Sequence, residues 1–222
     1  MARQLPLPLE VRPALTREGF IAAPSNEAAL RFILRWPDWP VRAVALFGPE
    51  GAGKTHLAEI WRAASGAEIM PAGHLSADWL ALLAPAAAVA VEDVDSASGE
   101  ERDRALFALF ERRTGTLLLT GRTPPAEWAA SSGDLKSRFA SVLAIPVGAP
   151  DDALLGGLAR KLFADRQLCV SDNAVRLMLL SLERTPAAVS EFVARADAKA
   201  LAERRPVSER LVLELLEELE RR

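Results

Sequence analysis

The stretch VRAVALFGPEGAGKTHLAEIWRAAS, residues 41–65, contains the strongest signal in this 222-residue chain. A short apolar run precedes the octapeptide GPEGAGKT (48–55), and apolar residues at helical spacing follow it. The octapeptide fits the G-x-x-x-x-G-K-[ST] pattern in the strand–loop–helix context that gives this pattern its meaning. The sequence therefore predicts a phosphate-binding loop between a buried strand and a helix.

Each residue type in this loop has a chemical reason to be there. Gly48 begins a tight turn, and the two inner glycines let backbone N–H groups approach phosphate oxygens without a Cβ clash. Lys54 is predicted to reach the β- and γ-phosphates, and Thr55 to hold Mg²⁺ through its hydroxyl. His56 either contacts the nucleotide or packs locally. The predicted nucleotide contacts of this segment are Gly48, Gly51, Ala52, Gly53, Lys54, Thr55 and His56.

A second acidic element follows the apolar run in AAAVAVEDVD, residues 86–95. If this run is a strand of the same parallel sheet, Glu92 and Asp93 lie at its carboxyl end beside the phosphate loop. Glu92 is then a candidate Mg²⁺ ligand, and Asp93 a candidate for polarising an attacking water; the alternative is an acidic loop after any buried strand. Metal-site aspartate is commoner at the first position. The longer Glu92 side chain displaces the carboxylate and could weaken hydrolysis, since small misplacements are costly.

Composition excludes several classes of protein. The formal net charge of −3 argues against non-specific nucleic-acid binding as the main activity. The longest uncharged apolar run, residues 79–91, has 13 residues and includes Pro85, which is too short to span a bilayer. No signal-peptide pattern is visible at the start of the chain. The single cysteine, Cys169, fits a reducing cytoplasm and is expected to be a small buried side chain.

The periodicity of apolar residues changes near residue 150. Before that point, short apolar runs at 41–47, 86–91, 116–120 and 142–147 alternate with amphipathic helical patterns, which predicts an α/β domain with a parallel sheet. After it, four helical patterns follow at about 151–167, 171–183, 186–203 and 208–220. We therefore divide the chain into an N-terminal arm (1–15), an α/β domain (16–149) and a small all-helical domain (150–222).

The arm contains the hexapeptide QLPLPL, residues 4–9. Each proline fixes its own φ and lacks a backbone donor, so this segment favours an extended or polyproline-like conformation. Its three leucines need an apolar surface. From composition alone, that surface belongs equally to the same chain or to a partner.

Four motifs in this order, GPEGAGKTHLA, EDVD, LLLTGR and DLKSRF, resemble the AAA+ module of the DnaA/Hda family of bacterial replication proteins. The resemblance runs from about Phe20 to the end of the chain. It implies a P-loop NTPase core followed by a helical lid, with ADP or ATP and Mg²⁺ as ligands. Backbone near Phe20 and Ile21 would meet the adenine, and Asn26 would begin the following helix.

The resemblance also assigns roles to three residues outside the phosphate loop. Thr120 in LLLTGR corresponds to sensor 1, near the γ-phosphate, although the family often has an acidic residue where Gly121 and Arg122 stand. Arg138 in DLKSRF corresponds to the arginine finger that one subunit presents to the nucleotide of its neighbour. Arg184 corresponds to sensor 2, with Pro186 as a local departure. Ordinary surface arginines and a polar strand end are the alternatives.

A hexapeptide of the form Q-L-x-L-P-L is typical of the short, Hda-type members of this family, which have no helix-turn-helix domain for origin DNA. The resemblance implies that Gln4, Leu5, Pro6, Leu7, Pro8 and Leu9 bind the polymerase sliding clamp (its beta subunit). Its further implications are DnaA as partner, contact with DNA only through the clamp, a bacterial cytoplasmic location near the nucleoid, and weak intrinsic ATPase activity. The implied function is stimulation of ATP hydrolysis by DnaA. A homodimer is a further candidate assembly. The alternative functions are a self-contained oligomeric ATPase, or a shortened DnaA paralogue that caps initiator filaments.

Overall fold

The structure is a computed structural model that describes residues 15–221. The hexapeptide at 4–9, and with it the predicted clamp contacts from Gln4 to Leu9, lies outside the described residues. Within the described part, no helix is both long and apolar enough to cross a membrane.

A five-stranded parallel sheet forms the centre of the first domain. Its strands are β1 (Ala43–Phe47), β2 (Glu68–Pro71), β3 (Val89–Glu92), β4 (Leu117–Gly121) and β5 (Leu143–Pro146), in the order β2-β3-β4-β1-β5. Phe47 is in register with Gly121 on one side and with Pro146 on the other, so the carboxyl ends of the three strands share one edge. This confirms the predicted parallel α/β sheet.

Helices cover both faces of the sheet, as its largely apolar strands require. In this domain they are α1 (Glu27–Ile33), α2 (Lys54–Ser65), α3 (Ala77–Leu82), α4 (Glu100–Glu111) and α5 (Gly133–Ser141). One apolar cluster joins α1 and α2 to the sheet around Leu46 and Trp61, and a second joins α4 and α5 to the other face around Leu119 and Phe139.

The edge strand β2 was not predicted from the sequence. Its four residues, EIMP, include a charged residue and a proline, and none of the four is fully buried. An edge strand has a neighbour on one side only, so its apolar pattern is short and weak. Its pairing with β3 supplies the backbone hydrogen bonds that define it.

The second domain has the four predicted helices: α6 (Asp152–Asp165), α7 (Asp172–Ser181), α8 (Pro186–Glu203) and α9 (Glu209–Glu220). Each begins with a side chain that accepts a backbone N–H three residues on, namely Asp151, Ser171, Thr185 and Ser208. Such caps satisfy otherwise unpaired donors at the first turn. The helices share one apolar core, which includes Phe163, Met178 and Phe192.

The expectation that Cys169 is buried was wrong, because the residue is exposed. It lies between α6 and α7, where its neighbours Leu168 and Val170 pack against the core of the second domain. Residues that alternate along an extended segment point to opposite sides. The thiol therefore faces away from the core.

An ion-pair network joins α8 and α9, and it predicts acid sensitivity. The pKa of Glu214 falls from its ordinary 4.5 to about 2 because Arg205 donates a hydrogen bond to it, with Arg210 and Lys199 adding to the effect. A carboxyl with a depressed pKa stabilises the fold above its unfolded-state value, and this contribution is lost as pH falls from about 4.5 towards 2.

We therefore expect the free energy of unfolding to decline over this acidic range, and to decline less steeply in Glu214→Gln. Urea titrations of both proteins between pH 2.5 and 6 measure this, with Glu209→Gln, an exposed glutamate of the same helix, as the control. An equally steep decline of the free energy of unfolding with falling pH in wild type and Glu214→Gln would contradict the prediction.

Candidate nucleotide site

The phosphate loop connects β1 to α2 with the geometry that its glycines predict. The backbone φ angles of Gly48, Gly51 and Gly53 are 155°, 75° and 96°, values that residues with a Cβ rarely adopt. A Cβ on Gly48 would lie 2.0 Å from the carbonyl oxygen of Val147. The Gly48 N–H also donates to the Gly121 carbonyl at 3.2 Å, which anchors the loop to the end of β4. Ala52 is buried within the loop.

Lys54 begins α2 and points back into the loop. Its ammonium donates to the carbonyl oxygens of Gly48 at 2.7 Å and Pro49 at 2.9 Å. Burial lowers the pKa of Lys54, and the nearby carboxylates of Asp93 and Asp95 oppose that shift. The ammonium is therefore held at the start of a helix whose N-terminal dipole also favours an anion.

The acidic end of β3 lies beside the loop. Burial raises the pKa of Glu92, and the hydroxyl of Thr55, which favours the charged form, opposes the rise. Asp93 follows with a left-handed backbone (φ 53°), and its N–H donates to the Thr120 hydroxyl at 3.0 Å. The structure therefore brings Lys54, Thr55, Glu92, Asp93 and Thr120 together at one edge of the sheet.

The residues present fit a Mg²⁺ ion that is held mainly by phosphate and water. One carboxylate oxygen of Glu92, Oε1, is buried without a hydrogen-bond partner among the described residues, and Thr55 is next to that carboxyl. No cluster of three His, Cys, Asp or Glu side chains suited to a metal occurs between residues 15 and 221. Mg²⁺ commonly takes one or two protein ligands and completes its shell with nucleotide oxygens and waters.

An apolar cavity of about 250 Å³ adjoins the phosphate loop. The loop and the segment before α1 form one side, including Phe20 and Ile21, and α6 forms the other with Leu154 and Leu158. His56 also lines the cavity and meets the Phe20 ring edge-on, with ring centroids 5.0 Å apart. Burial lowers the pKa of His56, so its imidazole is neutral at pH 7. The cavity has the apolar walls that a flat base needs.

Asn26 holds one wall of this cavity in place. Its Oδ1 accepts the Ala23 N–H at 2.9 Å, and its Nδ2 donates to the Ile21 carbonyl at 3.0 Å. It also precedes α1 as the N-cap residue, as predicted, and is buried. Because these bonds fix the backbone at Ile21, Asn26 sets the position of the predicted adenine contacts.

The second domain contacts the first beside the loop, and these contacts explain Gly157 in α6. A Cβ on Gly157 would lie 2.9 Å from the Ile21 side chain, so a larger residue would push α6 away from the cavity. Pro186, the first residue of α8, lies close to Gly51: a Cβ on Gly51 would be 2.8 Å from the Cδ of Pro186. Lys161 donates to the Gly19 carbonyl at 2.9 Å.

Arg138 lies away from these residues. It is in the last turn of α5, immediately before β5, and its exposed guanidinium pairs with Glu111 at 2.5 Å. Burial lowers the pKa of Arg42, and the positive charges of Arg112 and Arg138 lower it further, so the three arginines are close together. Arg138 therefore belongs to a basic patch at the amino ends of the strands.

The structure does not bring Arg184 to the cavity. Arg184 lies just before α8, and its guanidinium pairs with Asp152 at the start of α6. The lid residue that contacts the phosphate loop in this region is Pro186, two positions further on. The sensor 2 role of Arg184 stays a prediction.

Comparisons with solved structures agree with this architecture. Domain III of the replication initiation protein DnaA from Thermotoga maritima superposes with a TM-score of 0.74 at 17% identity, over 93% of this chain and 97% of that one. AMPPCP-bound DnaA from Aquifex aeolicus superposes with a TM-score of 0.68 at 17% identity, over 86% of this chain and 67% of that one. The chain has the AAA+ fold. The Thermotoga maritima RuvB Holliday junction branch migration motor superposes with a TM-score of 0.71 at 17% identity, over 92% of this chain and 72% of that one.

At this identity the likeness establishes the fold. No protein-family model matches the chain. No curated protein matches it either.

Two further residues at this site were not predicted from the sequence. Asp95, the last residue of EDVD, accepts the backbone N–H groups of Arg122 at 2.6 Å and Thr123 at 2.9 Å. Arg122 in turn pairs with Glu50 of the phosphate loop at 3.0 Å. The sequence signal for Arg122 was the basic residue at a position where the family often has an acidic one.

Gly121 shows why that neighbouring position lacks a side chain here. A Cβ on Gly121 would lie 2.6 Å from the indole of Trp128, which is buried against the end of β4. The indole N–H donates to the Thr123 carbonyl at 2.9 Å and so holds the ring there. An acidic side chain at position 121 would therefore displace Trp128.

Proposed function

We propose that this protein is a nucleotide-binding AAA+ adaptor that attaches to the polymerase sliding clamp and stimulates hydrolysis of the ATP bound to DnaA. Hydrolysis would convert the initiator to its inactive ADP form, so the protein would act as a negative regulator of replication initiation. It would bind ADP or ATP with Mg²⁺ at its own site and present Arg138 to the nucleotide held by DnaA.

The position of Arg138 carries this proposal. Arg138 precedes β5, whereas the phosphate loop follows the carboxyl end of the neighbouring β1. The four residues of β5 span about 13 Å at roughly 3.3 Å per residue. An arginine at the amino edge serves the nucleotide of another subunit more readily than its own. Its exposure and the adjacent Arg42 and Arg112 suit an approaching phosphate.

The nucleotide site supports the first half of the proposal. The apolar cavity between Ile21 and α6 would take the base, and the glycine loop with Lys54 would bind the phosphates. Thr55 and Glu92 would hold Mg²⁺, which neutralises phosphate charge when bound. The neutral imidazole of His56 would stay beside the base, since it also hydrogen-bonds to the Thr16 carbonyl at 2.7 Å.

The hexapeptide at 4–9 supplies the proposed attachment to the clamp. Proline restricts its conformation before binding, so docking loses less entropy than it would for a flexible peptide. Leu5, Leu7 and Leu9 contribute about 1.5–3 kcal/mol each if fully buried in an apolar cleft. DNA contact through the clamp suits a chain of net charge −3. We propose a cytoplasmic location for the same complex.

The decisive measurement is the rate of ATP hydrolysis by ATP-loaded DnaA, with this protein added and the clamp loaded on DNA. We expect acceleration by wild type and its loss on deletion of residues 4–9. A second variant, which replaces the three leucines of the hexapeptide by alanine and keeps its length, should lose the acceleration as well. Acceleration that persists in both variants would exclude the clamp attachment, and no acceleration by wild type would exclude the activator role.

A second candidate is a self-contained ATPase that acts in DNA remodelling or helicase loading. The observation in its favour is that Lys54, Thr55 and Glu92 all lie together at one site. Turnover by the protein alone, with dependence on its own concentration as expected for a homo-oligomer, would support this candidate. Turnover that requires DnaA would support the adaptor.

A further inference from the structure

An ion pair joins the phosphate loop to the end of β4. The Arg122 guanidinium lies 3.0 Å from the carboxylate of Glu50, the third residue of GPEGAGKT. The two side chains are 61% and 83% exposed. An exposed pair of this kind stabilises the fold little, so either partner can exchange it for a stronger one at small cost.

The backbone of Arg122, in contrast, is fixed on two sides. The Asp95 carboxylate accepts its N–H at 2.6 Å, and the preceding residue, Gly121, accepts the N–H of Gly48 at 3.2 Å. Arg122 is thereby tied to the acidic edge and to the first glycine of the phosphate loop. The backbone of Arg122 is therefore held in place, while its exposed guanidinium can exchange Glu50 for another partner.

The charge of Arg122 acts on the phosphate site. Its guanidinium lies 3.0 Å from the Glu50 carboxylate of the loop, and its backbone N–H donates to Asp95 at the acidic edge, while Lys54 binds the Gly48 carbonyl. Two cations and several carboxylates therefore share the volume beside the loop. A ligand with one more phosphate brings additional negative charge into this volume, where an arginine can bind it with two parallel hydrogen bonds.

We propose that Arg122 selects a nucleoside triphosphate over a diphosphate in cis. Its guanidinium exchanges Glu50 for the terminal phosphate, and Glu50 competes with that phosphate for the same arginine. The inference rests on the proposed nucleotide-binding function, and it assigns a role to a residue that lies outside the predicted contacts. Arg122 then differs from Arg138, which acts on the nucleotide of a neighbour.

Calorimetric titration with ADP and with a non-hydrolysable ATP analogue, both with Mg²⁺, tests this role. We expect Arg122→Gln to weaken binding of the analogue about 10-fold or more and that of ADP less than about twofold. Glu50→Gln should tighten binding of the analogue, because it removes the competitor. Arg104→Gln, which removes an exposed arginine paired with Glu100 on α4, is the matched control and should change neither affinity.

Equal weakening of both ligands by Arg122→Gln, or no change in either, would overturn the inference. Arg122→Lys should give an intermediate loss for the analogue, since it keeps the charge but not the planar fork. If the wild-type protein binds neither nucleotide, the proposed function and this inference fail together. If the affinity ratio shifts as expected while DnaA is not stimulated, the adaptor role alone fails.

Discussion

Replacing Arg138 by alanine is expected to reduce the stimulation of DnaA-bound ATP hydrolysis by about 10³-fold, the effect typical of an arginine finger supplied in trans. The guanidinium is exposed at the end of α5 and pairs only with Glu111 among the described residues, so its removal costs the fold little. The affinity of the protein for its own nucleotide should not change. A hydrolysis assay with clamp on DNA, alongside nucleotide titration, measures both effects.

Arg104→Ala provides the matched control for this variant. Arg104 is another exposed arginine in an ion pair, on the neighbouring helix α4, and no role is proposed for it in the neighbour's site. It should leave stimulation unchanged. Full stimulation by Arg138→Ala would exclude the arginine-finger role of Arg138, on which the proposed function rests.

Replacing Gly48 by alanine is expected to have the largest effect on stability. The new Cβ would lie 2.0 Å from the Val147 carbonyl oxygen, a backbone atom that also sits next to the end of β5. The φ of 155° adds backbone strain of about 1–3 kcal/mol for a residue with a Cβ. We expect the variant to lose at least about 4 kcal/mol, or to fail to fold, and to lose nucleotide binding.

Gly99→Ala separates the two causes. Gly99 has a similar φ of 136°, but nothing lies within 4 Å of the position of its Cβ. It should therefore show the backbone strain alone, and urea unfolding of both variants measures the difference. Equal destabilisation of the two would mean that the contact with Val147 relaxes, contrary to the prediction.

Local sequence patterns were sufficient for most of the fold. The alternation of apolar runs and amphipathic stretches located four of the five strands, and helical spacing located all four helices of the second domain. The spacing of Gly48, Lys54 and Thr55 placed the phosphate loop, because these residues act within one turn and the helix that follows it. Each of these features depends on neighbours within a few positions in the chain.

The features that the sequence did not reveal depend on residues distant in the chain. Gly157 is small because Ile21 packs against it, and Gly121 is small because the Trp128 ring occupies that space. The pairing of Arg184 with Asp152 could not be inferred from either local pattern. The edge strand β2 becomes a strand through its hydrogen bonds to β3.

Short-range periodicity was thus enough to locate the phosphate-loop motif, four of the five strands and the four C-terminal helices, since each is encoded by residues close together in the chain. Which of these groups meet depends on how the chain packs. It placed Arg122 against Glu50, and Arg138 at the opposite edge from Lys54. Packing of helices on the sheet brings distant segments within a few ångströms of one another, and no local pattern specifies those distances.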